Sequence, residues 1–276
     1  MFLNIKSFIL IGSTSFLLTS CGGNKQEEID TTEEETPVVG LDSQKISAQN
    51  VFNTISSRTS ILELTKQAGA EYNVQLLNNP DDVSRYLLES SRALNLGVYG
   101  ADLNVANIYD QTQESMLFFK CVSIIAKSIG VSDSFDENMG ERMTANQSNR
   151  DSTLNIITQA FKNADNTLRK NNRPGTSSLL VAGAWIEGLY VACQTAKEKN
   201  NEPIVKEVFG QKESLDNLLE LLMSSKLPDE TAYLIPDLKA IKAIIDSKSD
   251  KVYTIAAMKD LDAKITELRT KIISSK

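Results

Sequence analysis

Two acidic residues interrupt apolar stretches of this sequence and are its strongest candidates for chemistry. Asp102 and Glu187 each stand alone among apolar neighbours, and Trp185 lies two residues before Glu187. If both carboxyl groups face one cavity, burial and mutual repulsion raise their pKa values, and such pairs cleave glycosides or hold a hard cation. Trp185 would then line a groove for a sugar or a peptide. These three residues form the predicted ligand-binding set.

A structural interpretation of the same residues stays open. Each acid would then form a salt bridge to a neighbouring helix, and Trp185 would be an aromatic residue of the core. The basic partners available nearby in the sequence are Arg85, Arg92 and Lys120. The two interpretations predict different surroundings for the acids, because the first requires a shared cavity and the second a sealed ion pair.

The chain lacks the residues on which most catalytic sites depend. It contains no histidine, which excludes Ser-His-Asp and Cys-His catalysis and imidazole-bound zinc. It has neither of the glycine-rich phosphate-binding patterns, and its net charge of -7 argues against nucleic acid as a partner. We therefore predict no catalytic residue, no metal site and no cofactor, and a non-enzymatic role is favoured.

Two thiols lie on apolar helix faces, at Cys121 and Cys193. They are too few for a thiolate zinc site. We expect both to be buried and unbridged, acting as small apolar residues. A disulfide between them is the alternative, since an exported protein would permit one.

The elements that must position these residues are helices. Apolar residues recur at three- and four-residue spacing in nearly every segment, and no long window alternates with a period of two. We predict an all-α fold, either a multi-helix bundle or stacked helical hairpins, with about nine or ten helices and no appreciable sheet. The predicted helices span about 47–67, 81–97, 98–109, 114–129, 134–144, 151–170, 177–199, 204–224, 229–247 and 254–274.

One predicted helix is apolar on almost every face and should be enclosed by the others. It runs from Leu179 to Gln194, and it is too short, with Glu187 inside it, for us to expect it to span a bilayer. Small residues elsewhere suit close helix packing, and Gly97 is expected to end the second helix. Pro236 is expected to kink or divide the helix around it.

The first twenty residues have the pattern of an export signal. Lys6 precedes an apolar stretch that continues to Leu18 and is too short and interrupted to span a bilayer. Leu18-Thr19-Ser20-Cys21 resembles the bacterial lipobox, in which the cysteine sulfur receives a diacylglycerol and the chain is cut before that cysteine. The resemblance implies a lipoprotein signal peptide over 1–20 and lipidation of Cys21. An ordinary secretory signal is the alternative.

Residues 21–44 are predicted to form an acidic flexible tether ahead of a single all-helical domain over 45–276. The tether has almost no bulky apolar residue and cannot bury enough surface to fold. Its acidic cluster resembles the surface-export signal of Bacteroidota lipoproteins. A surface-exposed position and a plain solvated tether on the periplasmic side both stay open.

A longer segment resembles a set of uncharacterised helical lipoproteins of Bacteroidota. The segment runs from Leu96 to Val131, and it begins Leu-Gly-Val-Tyr-Gly-Ala-Asp-Leu. The resemblance implies a protein of the cell envelope and assigns no catalytic or binding residue.

These features together predict a non-enzymatic lipoprotein that is anchored to the outer membrane by its N-terminal lipid. Its helical domain would bind an envelope protein or peptide, and nucleic acid is not expected as a partner. The alternative is a small-ligand-binding or carboxylate-dependent enzyme domain that uses Asp102 and Glu187.

Overall fold

The computed structural model describes residues 50–51, 61–247 and 253–275, and within them helices are joined by turns and short loops. The all-α prediction is confirmed, because these residues form ten α-helices beyond the helical pair at 50–51 and contain no β-strand. The helices are α1 (Ile61–Gln67), α2 (Glu89–Ile108), α3 (Thr112–Ser128), α4 (Glu137–Ala145), α5 (Arg150–Lys170), α6 (Pro174–Lys199), α7 (Glu202–Phe209), α8 (Lys212–Met223), α9 (Leu234–Asp246) and α10 (Ile255–Ser274).

The predicted signal peptide, the lipidation site Cys21 and the tether over 21–44 lie outside the described residues. Those assignments therefore stay predictions. The described residues all belong to one compact unit of the chain.

Helices α2 and α6 cross at the centre of the fold with their backbones in contact. A Cβ atom added to Gly183 would lie 1.9 Å from the carbonyl oxygen of Leu94, and one added to Gly97 would lie 2.2 Å from that of Leu180. Contacts this short leave no room for a side chain. Glycine is therefore required at both positions. The close approach that the two glycines permit makes α2, which carries Asp102, and α6, which carries Glu187, direct neighbours.

Helix α6 has the surroundings of a core helix. It alone among the described helices is long and apolar enough to cross a membrane, and 94% of its most apolar window is buried inside the protein. Helices α2, α5 and α10 pack around it. Its all-round apolar surface is thus covered by the rest of the domain, as a helix without a polar face requires.

Helices α2 and α3 form a hairpin that turns at Tyr109–Gln111. Asp110 takes a left-handed conformation with φ 58°, which an aspartate tolerates better than most residues. The Nζ atom of Lys66 lies 2.6 Å from the Asp110 carboxylate and ties the turn to α1.

Two helix boundaries differ from those predicted around Gly97. The chain does not break there, and α2 continues from Glu89 to Ile108, because the close packing against α6 compensates the low helix propensity of glycine. The segment Pro80–Arg85, expected to begin an α-helix, forms a 3₁₀ helix.

Two further boundaries differ in the second half of the chain. The predicted helix over 204–224 is divided at Gly210 into α7 and α8. Pro236 neither kinks nor divides a helix, since it lies in the first turn of α9, where its missing N–H has no intrahelical acceptor to lose.

Candidate functional site

The two predicted acids meet in the core. Asp102 and Glu187 are both completely buried, and their side chains are within hydrogen-bonding reach of each other. Each projects from one of the two helices that cross at the centre of the fold. Their proximity follows from the glycine-mediated crossing of α2 and α6.

Arg269 of α10 neutralises Glu187 through a bidentate ion pair. Its Nε atom lies 2.7 Å from one Glu187 carboxylate oxygen and its Nη2 atom 2.8 Å from the other. The guanidinium also stacks over the Tyr190 ring, 4.3 Å from the centroid, and Nη2 donates to the carbonyl oxygen of Leu76 at 3.2 Å. Two parallel hydrogen bonds with a planar stack are the geometry that guanidinium groups favour.

The basic residues expected to pair with these two acids do not do so. Arg85 pairs with Asp82, Arg92 donates to the carbonyl oxygen of Tyr86, and Lys120 is exposed. The sequence does carry a signal for Arg269, because it falls among apolar residues on the buried stripe of α10. A charged residue in that position needs a buried partner.

Asp102 lacks a basic partner of its own. Its Oδ2 atom accepts a hydrogen bond from the backbone N–H of Asn78 at 3.0 Å, and its Oδ1 atom, also buried, has no donor among the described residues. Two carboxyl groups thus share one guanidinium. Burial, and after it the negative charge of Glu187, raise the pKa of Asp102 well above its ordinary value, although Arg269 partly offsets them.

A single proton on Asp102 accounts for this arrangement. A protonated Asp102 becomes a donor, and the Glu187 carboxylate within its reach is the acceptor. The cluster then carries one negative and one positive charge and is neutral overall. An unprotonated Asp102 would instead add an uncompensated charge to a site without solvent.

The loop before α2 covers this cluster and is itself held by buried polar groups. The Tyr99 hydroxyl donates to the carbonyl oxygen of Asn79 at 2.7 Å, and the Asn78 side-chain amide donates to the Tyr86 hydroxyl at 3.0 Å. The Cys121 thiol lies 3.7 Å from the carbonyl oxygen of Pro80. The acids are therefore closed off by the loop on one side and by α10 on the other.

Both thiols are buried and unbridged, as the sequence predicts. Burial raises the pKa of Cys121 to about 11, and that of Cys193 is raised further for the same reason. Thiols with raised pKa values are poor nucleophiles at neutral pH, so neither cysteine has the environment of a reactive residue.

Trp185 lies apart from the acid pair. It is 3% exposed, and its indole N–H donates to the Ser214 hydroxyl of α8 at 3.0 Å. Residues two apart in a helix point about 200° from each other, so Trp185 faces α8 while Glu187 faces α2 and α10. The structure brings together two of the three predicted ligand-binding residues.

The surroundings of the acid pair are those of the sealed ion pair in the structural interpretation. Two clefts on the described part of the protein, one between α2, α3, α4 and α5 and one between α1 and α7, are lined by none of Asp102, Glu187 and Trp185. No group of three or more potential metal-binding side chains occurs among the described residues. Substrate could reach the acids only if α10 or the loop at 76–80 moved away.

A comparison with protein-family models, with curated proteins and with solved structures finds no significant match to this chain.

Proposed function

We propose that this chain is a lipid-anchored protein of the bacterial cell envelope whose helical domain binds a protein or peptide partner. The observation that carries the binding role is an apolar and basic surface on α3. Leu117 is 53% exposed and Ile124 is 43% exposed, and Lys120 and Lys127 lie on the same exposed side of the helix. We call these four residues the α3 face.

The spacing of the α3 face suits a helical or extended partner. Leu117 and Ile124 are seven residues apart, as are Lys120 and Lys127, so each pair repeats about two helical turns along the same face. Exposed apolar residues in a row, with charged residues beside them, are typical of surfaces that bind an amphipathic segment. The two lysines favour acidic residues in that segment.

Two further exposed apolar residues precede α2. Leu87 is 64% exposed and Leu88 is 50% exposed. The next residue, Glu89, pairs with Arg173 at 2.8 Å, and Arg173 donates to the carbonyl oxygen of Ile129 at 2.7 Å. Arg173 thus connects the start of α2, next to these leucines, to the end of α3.

The anchoring role rests on the sequence. Leu18-Thr19-Ser20-Cys21 resembles the lipobox, and two or three acyl chains at Cys21 would hold the protein stably where one chain binds only marginally. The acidic residues of 21–44 favour a tether that stands away from anionic head groups. The outer membrane is the expected site, facing either the periplasm or the medium.

Metabolic labelling with palmitate tests the anchor. The protein should incorporate label and fractionate with the outer membrane, and Cys21→Ala should lose both properties. Label retained by the Cys21→Ala protein would refute the anchor assignment. Treatment of intact cells with a protease then separates the two faces, because only a surface-exposed domain is cleaved.

Site-specific photocrosslinking in intact cells tests the binding role. A crosslinker at Leu117 or Ile124 should give one discrete adduct, and a crosslinker at the exposed Lys239 of α9 is the matched control. With the crosslinker at Leu117, Ile124→Glu should abolish the adduct, and with the crosslinker at Ile124, Leu117→Glu should abolish it. Each substitution places a carboxylate in an apolar contact. Equal adducts at all three positions, or none at α3, would refute a binding surface there.

A carboxylate-dependent or ligand-binding role is a second candidate, and it is favoured by the direct contact between Asp102 and Glu187. Glycosidase carboxyl groups, however, stand about 5 to 9.5 Å apart so that a sugar or water fits between them. Here the two side chains reach each other, and Arg269 occupies the remaining side of Glu187. The geometry supports this candidate less well than the binding module.

A further inference from the structure

A narrow cleft opens at the N-terminal end of α3, at the meeting point of α2, α3, α4 and α5. Its free space is about 370 Å³, including the part open to solvent, but the centre of a water-sized group can occupy only about 30 Å³ of it. One water needs about 10–15 Å³ by that measure. The cleft therefore admits a group of two or three heavy atoms and excludes a ring.

The polar groups along the cleft include donors without acceptors. Ser115 is 6% exposed and lines the cleft, and its hydroxyl makes no hydrogen bond to any residue that the structure describes. Asn107 also lines the cleft, and its Nδ2 atom is buried without an acceptor in the described part of the chain. The Ser115 hydroxyl keeps contact with solvent, so an acceptor in the cleft can reach it, whereas the buried Asn107 Nδ2 atom is closed off from the cleft.

The start of α3 adds further donors to the same place. Gln111, the residue that precedes the helix, makes no side-chain hydrogen bond to its first turn, and Thr112, the first residue of the helix, lines the cleft. The N–H groups of a first turn have no intrahelical acceptor and carry a partial positive charge. A negatively charged oxygen would accept hydrogen bonds from these N–H groups and would be attracted by their partial positive charge.

The carboxylate at the cleft rim does not oppose such a ligand. Asp110 lines the cleft, but its charge is paired with the ammonium group of Lys66 at 2.6 Å. The remaining groups that we have placed in the cleft wall, on Asn107, Thr112 and Ser115, are uncharged. The Ser115 hydroxyl and the N–H groups of the first turn therefore favour an anionic acceptor.

We propose that this cleft is a binding site for a carboxylate group, carried either by a small organic acid or by the C-terminus of a peptide. The three heavy atoms of a carboxylate match the space, and its oxygens supply acceptors for Ser115 Oγ and for the N–H groups in the first turn of α3. The site is separate from the α3 face, so either proposal can fail without the other.

Amide NMR on the full chain in detergent micelles tests the site with acetate as the probe. Acetate should shift the signals of Thr112 and Gln113 and saturate, whereas acetamide, which has the same shape without the charge, should bind at least about tenfold more weakly because charge-assisted hydrogen bonds are the stronger ones. Absence of acetate-induced shifts, or equal shifts with acetamide, would overturn the proposal.

Two alanine variants separate the site from a general effect of acetate. Ser115→Ala should weaken acetate binding by about tenfold, and the fold should survive because the hydroxyl has no partner among the described residues. Ser128→Ala, at the other end of α3, removes a hydroxyl that donates to the carbonyl oxygen of Ile125 at 2.6 Å, and acetate binding should be unchanged. Acetate binding that persists unchanged in Ser115→Ala would refute the site.

Acetyl-dialanine with a free or an amidated C-terminus distinguishes the two sources of the carboxylate. Tighter binding of the free peptide than of acetate, with none by the amide, assigns the site to a peptide C-terminus. Binding of acetate without the free peptide assigns it to small acids. Binding of the amidated peptide as tightly as the free one would contradict a carboxylate site.

Discussion

Replacing Asp102 with asparagine should remove most of the pH dependence of stability between about pH 5 and the raised pKa of Asp102. The Asp102 pKa is raised by burial and by Glu187, whereas an aspartate in the unfolded chain titrates near about 3.9. Between these two values the native protein binds one proton more than the unfolded chain does. The free energy of unfolding therefore falls as pH rises across that window.

The size of this effect follows from linkage. One proton of difference changes the free energy of unfolding by about 1.4 kcal/mol per pH unit. The wild-type protein should lose this amount for each pH unit between the pKa of an unfolded aspartate and the raised pKa of native Asp102. The Asp102→Asn variant keeps both hydrogen bonds, because the new amide nitrogen can donate to Glu187 and the amide oxygen can accept from Asn78, but it carries no titratable proton.

The composition of the chain makes the measurement unusually clean. There is no histidine, which is the usual source of pH dependence in this range. Of the groups that face Asp102, Tyr72 has a pKa raised to about 12 and Cys121 one raised to about 11, and burial raises the pKa of Tyr99 further. Carboxylates with lowered pKa values, such as Asp237, contribute the opposite slope only in acid, below pH 5.

Urea unfolding followed by far-ultraviolet circular dichroism at half-unit steps from pH 5 to 8 measures the slope. The wild type should lose stability with pH, and Asp102→Asn should be nearly flat. Asp216→Asn, at a partly exposed ion pair with Lys242, is the matched control and should keep the wild-type slope. A flat wild-type profile, or an undiminished slope in Asp102→Asn, would show that Asp102 is ionised in the folded protein.

Two further substitutions test the packing around this site. Arg269→Met should destabilise the protein by about 3–5 kcal/mol in urea unfolding, because it leaves the Glu187 carboxylate buried without its partner; a loss below about 1 kcal/mol would argue that water reaches the site. Gly183→Ala should lower the melting temperature sharply, since its Cβ would lie 1.9 Å from the carbonyl oxygen of Leu94. Gly188→Ala, whose nearest neighbour would be 4.0 Å away, is the control and should stabilise by up to about 1 kcal/mol.

The sequence is enough to predict that the two acids matter, and the physical reason is simple. An isolated Asp102 or Glu187 in an apolar helical stretch must be compensated, and the composition around each residue shows that without a structure. Which group compensates the acids depends on the tertiary structure. Arg269 lies 82 residues after Glu187, and only the packing of α10 on α6 brings it there.

Local rules also mispredict Gly97 for a tertiary reason. Glycine is a common helix terminator because of its conformational freedom, and nothing in the residues around Gly97 indicates otherwise. Its role becomes visible only with Gly183 on the facing helix, where each glycine admits the backbone of the other helix. Pairs of helices that approach this closely need small residues on both, and one sequence without its fold does not show which positions pair.

The acid pair and Arg269 are better explained as a device that orients α10 than as a source of folding stability. A buried ion pair seldom contributes more to stability than well-packed apolar residues would, because desolvation offsets most of its attraction. The bidentate contact, by contrast, fixes both the rotation of α10 about its axis and its position along α6, and the Leu76 carbonyl adds the loop to the same guanidinium. Apolar residues on α10 alone would permit a shift by one turn, whereas a shifted Arg269 would leave Glu187 unpaired. We infer that the cluster selects one register for the helix that closes the core.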